Sequence, residues 1–232
     1  MVTLRKSFLI LLFFTIPLHL LSPMAWAMEC APEAFTQPPV RALVKKPHLI
    51  LFSAPSGGGK TTLATLLVNG NKNLTVSISS TTRAPRGQEK DGVDYYFLDP
   101  KAFEARIAAG DFAEHALVHG NYYGTQIAPI RAAFAAGKSV LALVDINGAE
   151  ALKKVFPSEV FSIFINPPDM KTLEERLRGR GTDTPEAIAK RLQNAKQEMA
   201  QAKNFDRVVV NDDLQRAYGE LEAIIQHYNL VP

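Results

Sequence analysis

The segment from Leu49 to Val68, LILFSAPSGGGKTTLATLLV, constrains the possible folds more than any other stretch of this chain. A short apolar run suited to a strand covered on both faces leads into three consecutive glycines, and Lys60-Thr61-Thr62 then opens an apolar helical pattern. A strand that turns directly into a helix implies an α/β fold, because the helix must pack back onto the sheet its strand occupies. The same turn aims backbone N–H groups and a helix dipole at one point, which suits a bound anion. Gly57, Gly58 and Gly59 allow positive φ and close backbone approach, Lys60 reaches toward β- and γ-phosphates, and the Thr61 hydroxyl suits Mg²⁺. The usual G-x-x-x-x-G-K-[ST] spacing lacks its first glycine, since Ala54 stands there. Ala54 ends the strand, where a methyl group is tolerated at negative φ. A glycine-rich connection without a ligand is the competing reading, and the strand before it and the Lys-Thr after it weigh against that.

Beyond this loop, apolar runs alternate with helical patterns from His48 onward, which predicts a largely parallel central sheet. The candidate strands are His48–Ser53, Leu74–Ser79, Val140–Asp145, Val160–Ile165 and Val208–Val210. Asp99-Pro100 opens a helix that Gly110 ends, and Thr184-Pro185 opens a longer one to about Lys203. Residues 83–125 break the alternation with turn residues and aromatic runs, and read as a small antiparallel or mixed insert.

Charge and cysteine content exclude several classes. A net charge of +3, from 26 basic and 23 acidic residues spread along the chain, does not suit a nucleic-acid or membrane surface. The single cysteine, Cys30, cannot close an internal disulfide, and no Cys/His spacing suggests structural zinc. Residues 1–27 differ from the rest: Arg5 and Lys6 precede an apolar run from Phe8 to Leu21, and Ala25-Trp26-Ala27 fits a small-x-small cleavage pattern. The run is shorter than the roughly 20 apolar residues of a spanning helix. It reads as a signal-peptide-like segment, or as an extension called upstream of a true start at Met28. Residues 28–47, with Pro32, Pro38, Pro39 and Pro47, read as a linker, leaving 48–232 as the folded domain.

Further polar motifs carry a resemblance. SAPSGGGKTTL, SISSTTRAPRGQEKDGVDYYF, GNYYGT, GRGTDT and VVNDDL occur in this order between about His48 and Tyr228, and together they resemble guanylate kinase. That resemblance implies a three-layer P-loop NTPase with a parallel central sheet, an inserted mixed-β GMP-binding subdomain at about 80–130 and a helical lid at about 176–195. It implies transfer of phosphate from ATP, with Mg²⁺, to GMP and also dGMP, in purine nucleotide metabolism. The donor would lie on Ala54, Pro55, Ser56, Gly57, Gly58, Gly59, Lys60, Thr61 and Thr62, with Asn211 near adenine. Arg83, Arg86, Tyr95 and Tyr123 would hold the GMP phosphate, a dianion that guanidinium forks grip well. Glu114 would accept the parallel N1–H and N2–H donors of guanine, with Ser79, Thr125 and Asp145 completing the base and ribose contacts. Lys60, Arg176, Arg180 and Arg191 would neutralise the transferring phosphoryl group. Asp145 reads equally as a helix N-cap and Asn211 as part of a turn, while Arg178 reads as a solvated helix residue.

Two other functions remain open at this level: a non-catalytic guanylate-kinase-like module that binds protein partners, and a related kinase of a phosphorylated sugar. The first would not need Gly57–Thr61 or the lid arginines; the second should lack the guanine-reading set. ATP and GMP are the expected partners, with no nucleic acid, no stable membrane association and an oligomer allowed. That chemistry places the protein in the cytoplasm, against the exportable character of residues 1–27.

Overall fold

The apolar run that leads into the three glycines forms the central strand of the sheet, and its alternating side chains explain why helices cover both faces. The computed structural model describes residues 46–118, 120–179, 181 and 183–232. The expectations for residues 1–27, for the linker up to residue 45 and for Arg180 lie outside the described residues. With elements numbered in chain order, β1 (Leu49–Ser53) is buried along its whole length between β7 (Ser139–Leu143) and β8 (Val160–Asn166). Strand β2 (Leu74–Val76) flanks β7 and β9 (Arg207–Val210) flanks β8, giving five strands paired in parallel throughout. Leu51 stands opposite Ala142 on one side and Ser162 on the other.

Period-two alternation sends β1 side chains into two layers. Ile50 and Phe52 share a core with Leu63 and Leu67 of α1 (Lys60–Gly70) and with Leu221 and Ile225 of α7 (Leu214–His227). Leu49 and Leu51 share the other core with Ile130 of α3 (Ile127–Ala135) and with Ala149 and Leu152 of α4 (Ile146–Val155). Because β7 and β8 lie on opposite sides of β1, the turn after β1 occupies the crevice at the carboxyl edge of the sheet, where ligands bind in folds of this class.

A second sheet interrupts the alternation. It is built from β3 (Ser80–Thr81), β4 (Tyr96–Phe97), β5 (Phe112–Val118) and β6 (Asn121–Gln126), in the order β4-β3-β6-β5. The sheet is mixed: β3 pairs parallel with β4, whereas β6 pairs antiparallel with β3 and β5. Helix α2 (Pro100–Ala109) supports it through the fully buried Phe103, whose ring stacks on Phe112 at 4.3 Å and Tyr122 at 5.2 Å. Its ends follow the sequence signals. The Asp99 carboxylate accepts from the Ala102 N–H at 3.0 Å, Pro100 occupies the first turn, and Gly110 terminates at φ 73°.

The structure corrects three boundaries. The strand predicted over Leu74–Ser79 ends at Val76; Ser77 still donates to the Leu141 carbonyl at 2.8 Å, after which the chain crosses to the second sheet. There the buried hydroxyls of Ser80 and Thr81 bond to Gln126 Nε2 at 2.6 Å and the Tyr122 carbonyl at 2.9 Å. The strand predicted to reach Asp145 ends at Leu143, because the Asp145 carboxylate accepts from the Gly148 N–H at 2.7 Å and caps α4. The long helix toward Lys203 is α6 (Pro185–Ala200), followed by a 3₁₀ turn over Ala202–Asn204. Helix α5 (Met170–Gly179) packs on α6 through Leu173, Leu177, Ile188 and Ala195. No helix among the described residues is long and apolar enough to cross a membrane.

Truncating Phe103 removes the ring sandwiched beneath the second sheet. Phe103→Ala is expected to cost about 3–5 kcal/mol in urea unfolding, with the loss of hydrogen-exchange protection concentrated in β5 and β6 rather than in β1 and β7.

Candidate active site

Helix α1 begins without a side-chain cap: its N-cap is Gly59, at φ 92°. Four other helices, α2, α4, α6 and α7, are capped by Asp99, Asp145, Thr184 and Asp213. A helix start leaves N–H groups without intrahelical partners. Among the described residues no group accepts from the N–H groups of Gly59, Lys60, Thr61 or Thr62. The turn is instead closed from within, by the Gly58 N–H donating to the Pro55 carbonyl at 2.9 Å. Residues Ala54 to Thr62 thus line a polar pocket of about 230 Å³.

Three elements hold this turn in place. A Cβ on Gly57 would approach Leu173 Cδ1 of α5 to 3.0 Å, and Gly57 itself sits at φ 93°. A Cβ on Gly59 would lie 2.1 Å from Asn211 Nδ2, so the glycine is required by its neighbour as well as by its φ. The buried Asn211, at the end of β9, donates through Nδ2 to the Gly58 carbonyl at 2.8 Å and accepts at its own carbonyl from Arg176 Nη2 at 2.9 Å. Helix α6 supplies the third contact, Arg191 Nη1 donating to Ser56 Oγ at 2.7 Å while Nη2 pairs with Asp183 at 3.0 Å. Beside the turn, Arg176, Asn211 and Leu214 line a cavity of about 560 Å³ with Gly57 and Thr62. Arg176 Nη1 is buried there without a partner among the described residues. Arg178 points elsewhere, into an exposed pair with Glu174.

The predicted acceptor residues gather on and beside the second sheet. The Arg83 guanidinium lies 5.3 Å from the Tyr95 ring centre, and the Tyr95 and Tyr123 rings meet edge-on at 6.1 Å. Both terminal nitrogens of Arg83 bond to the Glu89 carboxylate at 2.9 Å, and Glu89 also accepts from the Arg86 N–H at 2.7 Å. The Arg86 side chain is exposed on the same turn. Glu114 and Thr125 are cross-strand neighbours on β5 and β6, and the threonine hydroxyl donates to Glu114 Oε1 at 2.6 Å. Burial pushes the Glu114 carboxyl above its usual range, with the Thr125 hydrogen bond opposing and the nearby Asp145 charge adding to the shift. Ser79 is half-buried in the link from β2 to β3, its hydroxyl without a partner among the described residues.

Sequence reasoning missed the partners of these cations. Glu89 for Arg83, Asp183 for Arg191 and the Val144 carbonyl for Lys60, at 3.0 Å, have no local sequence signature, since each pairing is made by a turn or by tertiary packing. Asn211 has a tertiary role that the sequence does not announce. Its side-chain amide is committed to the glycine turn, although the residue also lines the larger cavity. Asn211→Ala is expected to cost about 1–3 kcal/mol, because it strips the partner from the Gly58 carbonyl. Nucleotide affinity should fall in the same variant, and denaturant unfolding with calorimetric binding checks both.

The whole arrangement has close counterparts. A model of the guanylate kinase family matches residues 46–228. The chain is 46% identical over 180 residues to a guanylate kinase of Chlorobium chlorochromatii, covering 78% of this chain and 95% of that protein. It is 47% identical over 187 residues to a guanylate kinase of Carboxydothermus hydrogenoformans, covering 81% and 91%. Among solved structures, the crystal structure of guanylate kinase from Anaplasma phagocytophilum superposes with a TM-score of 0.62 at 32% identity, over 79% of this chain and 87% of that one. A match of this extent, with the uncapped glycine turn and the paired cations in place, means that the chain belongs to the guanylate kinase family.

Proposed function

We propose that this protein transfers the γ-phosphoryl group of ATP to GMP, giving ADP and GDP, and that dGMP is accepted too. The observation that carries the reading is the division of labour around the second sheet, with guanidinium and tyrosine groups at one set of positions and, at another, the carboxylate of Glu114 on β5 with that of Asp145 nearby at the start of α4. Such a set fits a ligand with a phosphate at one end and hydrogen-bond donors at the other. Guanine meets the second need through N1–H and N2–H₂, whereas adenine offers a bare acceptor at N1. A site built this way can reject the wrong base by roughly 10⁴-fold, because the mismatch leaves buried charge unpaired.

On the donor side, the open N–H groups of Gly59 to Thr62 would bind the β-phosphate, with Ala54 to Gly58 shaping the turn. Lys60 would leave the Val144 carbonyl for the β- and γ-phosphates. Arg176, whose Nη1 lacks a partner, and Arg191 would neutralise charge that builds on the transferring group, with Arg180 joining them by family analogy. The Thr61 hydroxyl is exposed at the pocket mouth and takes no partner among the described residues, which fits a Mg²⁺ ligand. When bound, Mg²⁺ supplies charge neutralisation across the donor phosphates. On the acceptor side, Arg83, Arg86, Tyr95 and Tyr123 hold the GMP phosphate so that one of its oxygens attacks the γ-phosphorus in line. Ser79, Glu114, Thr125 and Asp145 fix the base and ribose. The bond from the γ-phosphorus to the bridging oxygen then breaks, and that oxygen leaves with ADP. Residues 80–130 would act as the acceptor subdomain and 176–195 as a lid whose closure excludes water. Supply of ATP and GMP places the activity in the cytoplasm, within purine nucleotide metabolism.

A coupled assay for ADP release should show turnover with ATP and GMP and none above background with AMP. No turnover with GMP would favour a protein-binding module, and turnover with a ribose phosphate alone would favour a sugar-phosphate kinase. Within the active protein, Glu114→Ala is expected to lower kcat/KM for GMP by about two to three orders of magnitude, since two charge-assisted hydrogen bonds are lost. The KM for ATP should change by less than about threefold in the same assay.

A further inference from the structure

One side of the Arg83 guanidinium is already committed. Nη1 donates to the Ala84 carbonyl at 2.7 Å and to Glu89 Oε2 at 2.9 Å, while Nη2 donates to Glu89 Oε1 at 2.9 Å. The arginine and the carboxylate thus meet end-on through two parallel bonds, a strong and geometrically specific pairing. An arginine side chain has five N–H donors in a fixed fork. The two not used here, on Nε and Nη2, share one edge of the same plane and donate to no described residue at hydrogen-bond distance. That edge is a second fork, with the geometry that suits two oxygens of a phosphate. Arg83 also has little freedom to turn. It is buried, its backbone N–H donates to Thr81 Oγ1 at 3.1 Å, and its guanidinium lies 5.3 Å from the Tyr95 ring centre, with the Tyr123 side chain beside it. Glu89 is held in turn by the Arg86 N–H, which donates to Oε2 at 2.7 Å. These bonds, the Arg83 fork foremost, keep the Glu89 carboxyl below its usual range. The turn itself does not call for this, because the Glu89 N–H already closes it on the Arg86 carbonyl at 3.0 Å. The fork to Arg83 is left without a purely local explanation.

We infer that Glu89 is a positioning residue for the acceptor phosphate: it holds Arg83 end-on and so leaves the Nε–Nη2 edge set as a second fork for the phosphate of GMP. This deepens the acceptor-site reading above and rests on it. Glu89 itself does not touch GMP in this arrangement, and it stays paired when the phosphate arrives. The opposite role would be that of a substitute anion, which the phosphate must displace from Arg83. The donor count weighs against that, since carboxylate and phosphate use different edges of one guanidinium and need not compete. The two roles differ in sign. A carboxylate that orders a long side chain in advance spares that cost on binding, so its loss weakens GMP. A carboxylate that competes with the phosphate would strengthen GMP binding when it is lost.

The test is steady-state kinetics on the full chain with ATP·Mg and varied GMP, together with calorimetric titration of GMP, comparing wild type, Glu89→Gln, Arg83→Met and the double variant after thermal unfolding has confirmed that each is folded. Glutamine keeps one oxygen for the Arg86 N–H but turns an amide donor toward the guanidinium, so it breaks the fork and spares the turn. In Glu89→Gln the KM and Kd for GMP should rise about tenfold. The kcat at saturating GMP and the KM for ATP should stay within about twofold of wild type. On the Arg83→Met background, Glu89→Gln should change kcat/KM for GMP by less than about twofold, because no guanidinium is left to position. A role confined to the turn would persist in that background. GMP affinity in Glu89→Gln equal to or tighter than wild type, or a penalty that carries over in full to Arg83→Met, would overturn the inference. Failure of wild-type protein to bind GMP would overturn the acceptor-site reading itself.

Discussion

Everything in this protein is arranged around a stretch of backbone that must stay bare. The N–H groups at the start of α1 can hold a polyanion only if no side chain caps them and no carbonyl turns toward them. An uncapped, glycine-rich turn has little stability of its own, because glycine loses the most conformational freedom on folding. Its rigidity is therefore supplied from outside: Leu173 and Leu177 of α5 against Gly57, Asn211 beyond β9 against Gly58 and Gly59, and Arg191 of α6 on Ser56. None of these contacts uses an N–H that a phosphate would need. The braces come from the last third of the chain, so the binding turn forms fully only after β8, β9 and the helices around them have assembled.

The second constraint is the handling of charge. Cations gathered at one site repel one another and resist burial unless acceptors or anions stand beside them. Each cation that is held here has such a companion: Glu89 for Arg83, Asp183 for Arg191, and the Val144 carbonyl with nearby carboxylates for Lys60. Arg176 is the partial exception, with one nitrogen on the Asn211 carbonyl and the other without a partner among the described residues. The carboxylate side mirrors this logic. Burial pushes the Glu114 carboxyl up, and the nearby Asp145 charge adds to that shift.

Those two constraints also explain what the sequence could disclose. The central sheet was legible because each strand is short, apolar and bounded, and β1 betrays itself by leading into glycines. Helices α2 and α6 were legible because Asp99-Pro100, Gly110 and Thr184-Pro185 are local signals with local causes. The break at Val76 was not, since Leu74 to Ser79 reads as one strand, and the tertiary bonds of Ser80 to Gln126 and Thr81 to Tyr122 carry the chain over to the second sheet. At the site, the residues proposed to meet phosphate announce themselves by their chemistry, whereas the pairings that hold them in place do not, even where the partner falls within a motif. Glu89 is six positions from Arg83 across an irregular turn, and Asn211 is 153 positions from Gly58. No periodicity encodes such distances.

Asp145 shows how far a single residue can carry both kinds of demand. Read from the sequence, it had two competing roles, helix cap and site carboxylate, and the structure makes them compatible. One oxygen accepts from Gly148 and fixes the start of α4, against which β5 packs through Ala113. The charge that remains acts on Glu114 of the second sheet and on Lys60 of the donor turn. A cap holds its carboxylate in one rotamer, so the field reaching both groups is fixed in direction as well as strength. Asp145 therefore lies where the proposed acceptor site, the donor lysine and the central sheet meet. One fixed negative charge therefore adds to the rise of the Glu114 carboxyl and opposes the lowering that burial imposes on Lys60, which ties the electrostatics of both halves of the site to a single helix cap.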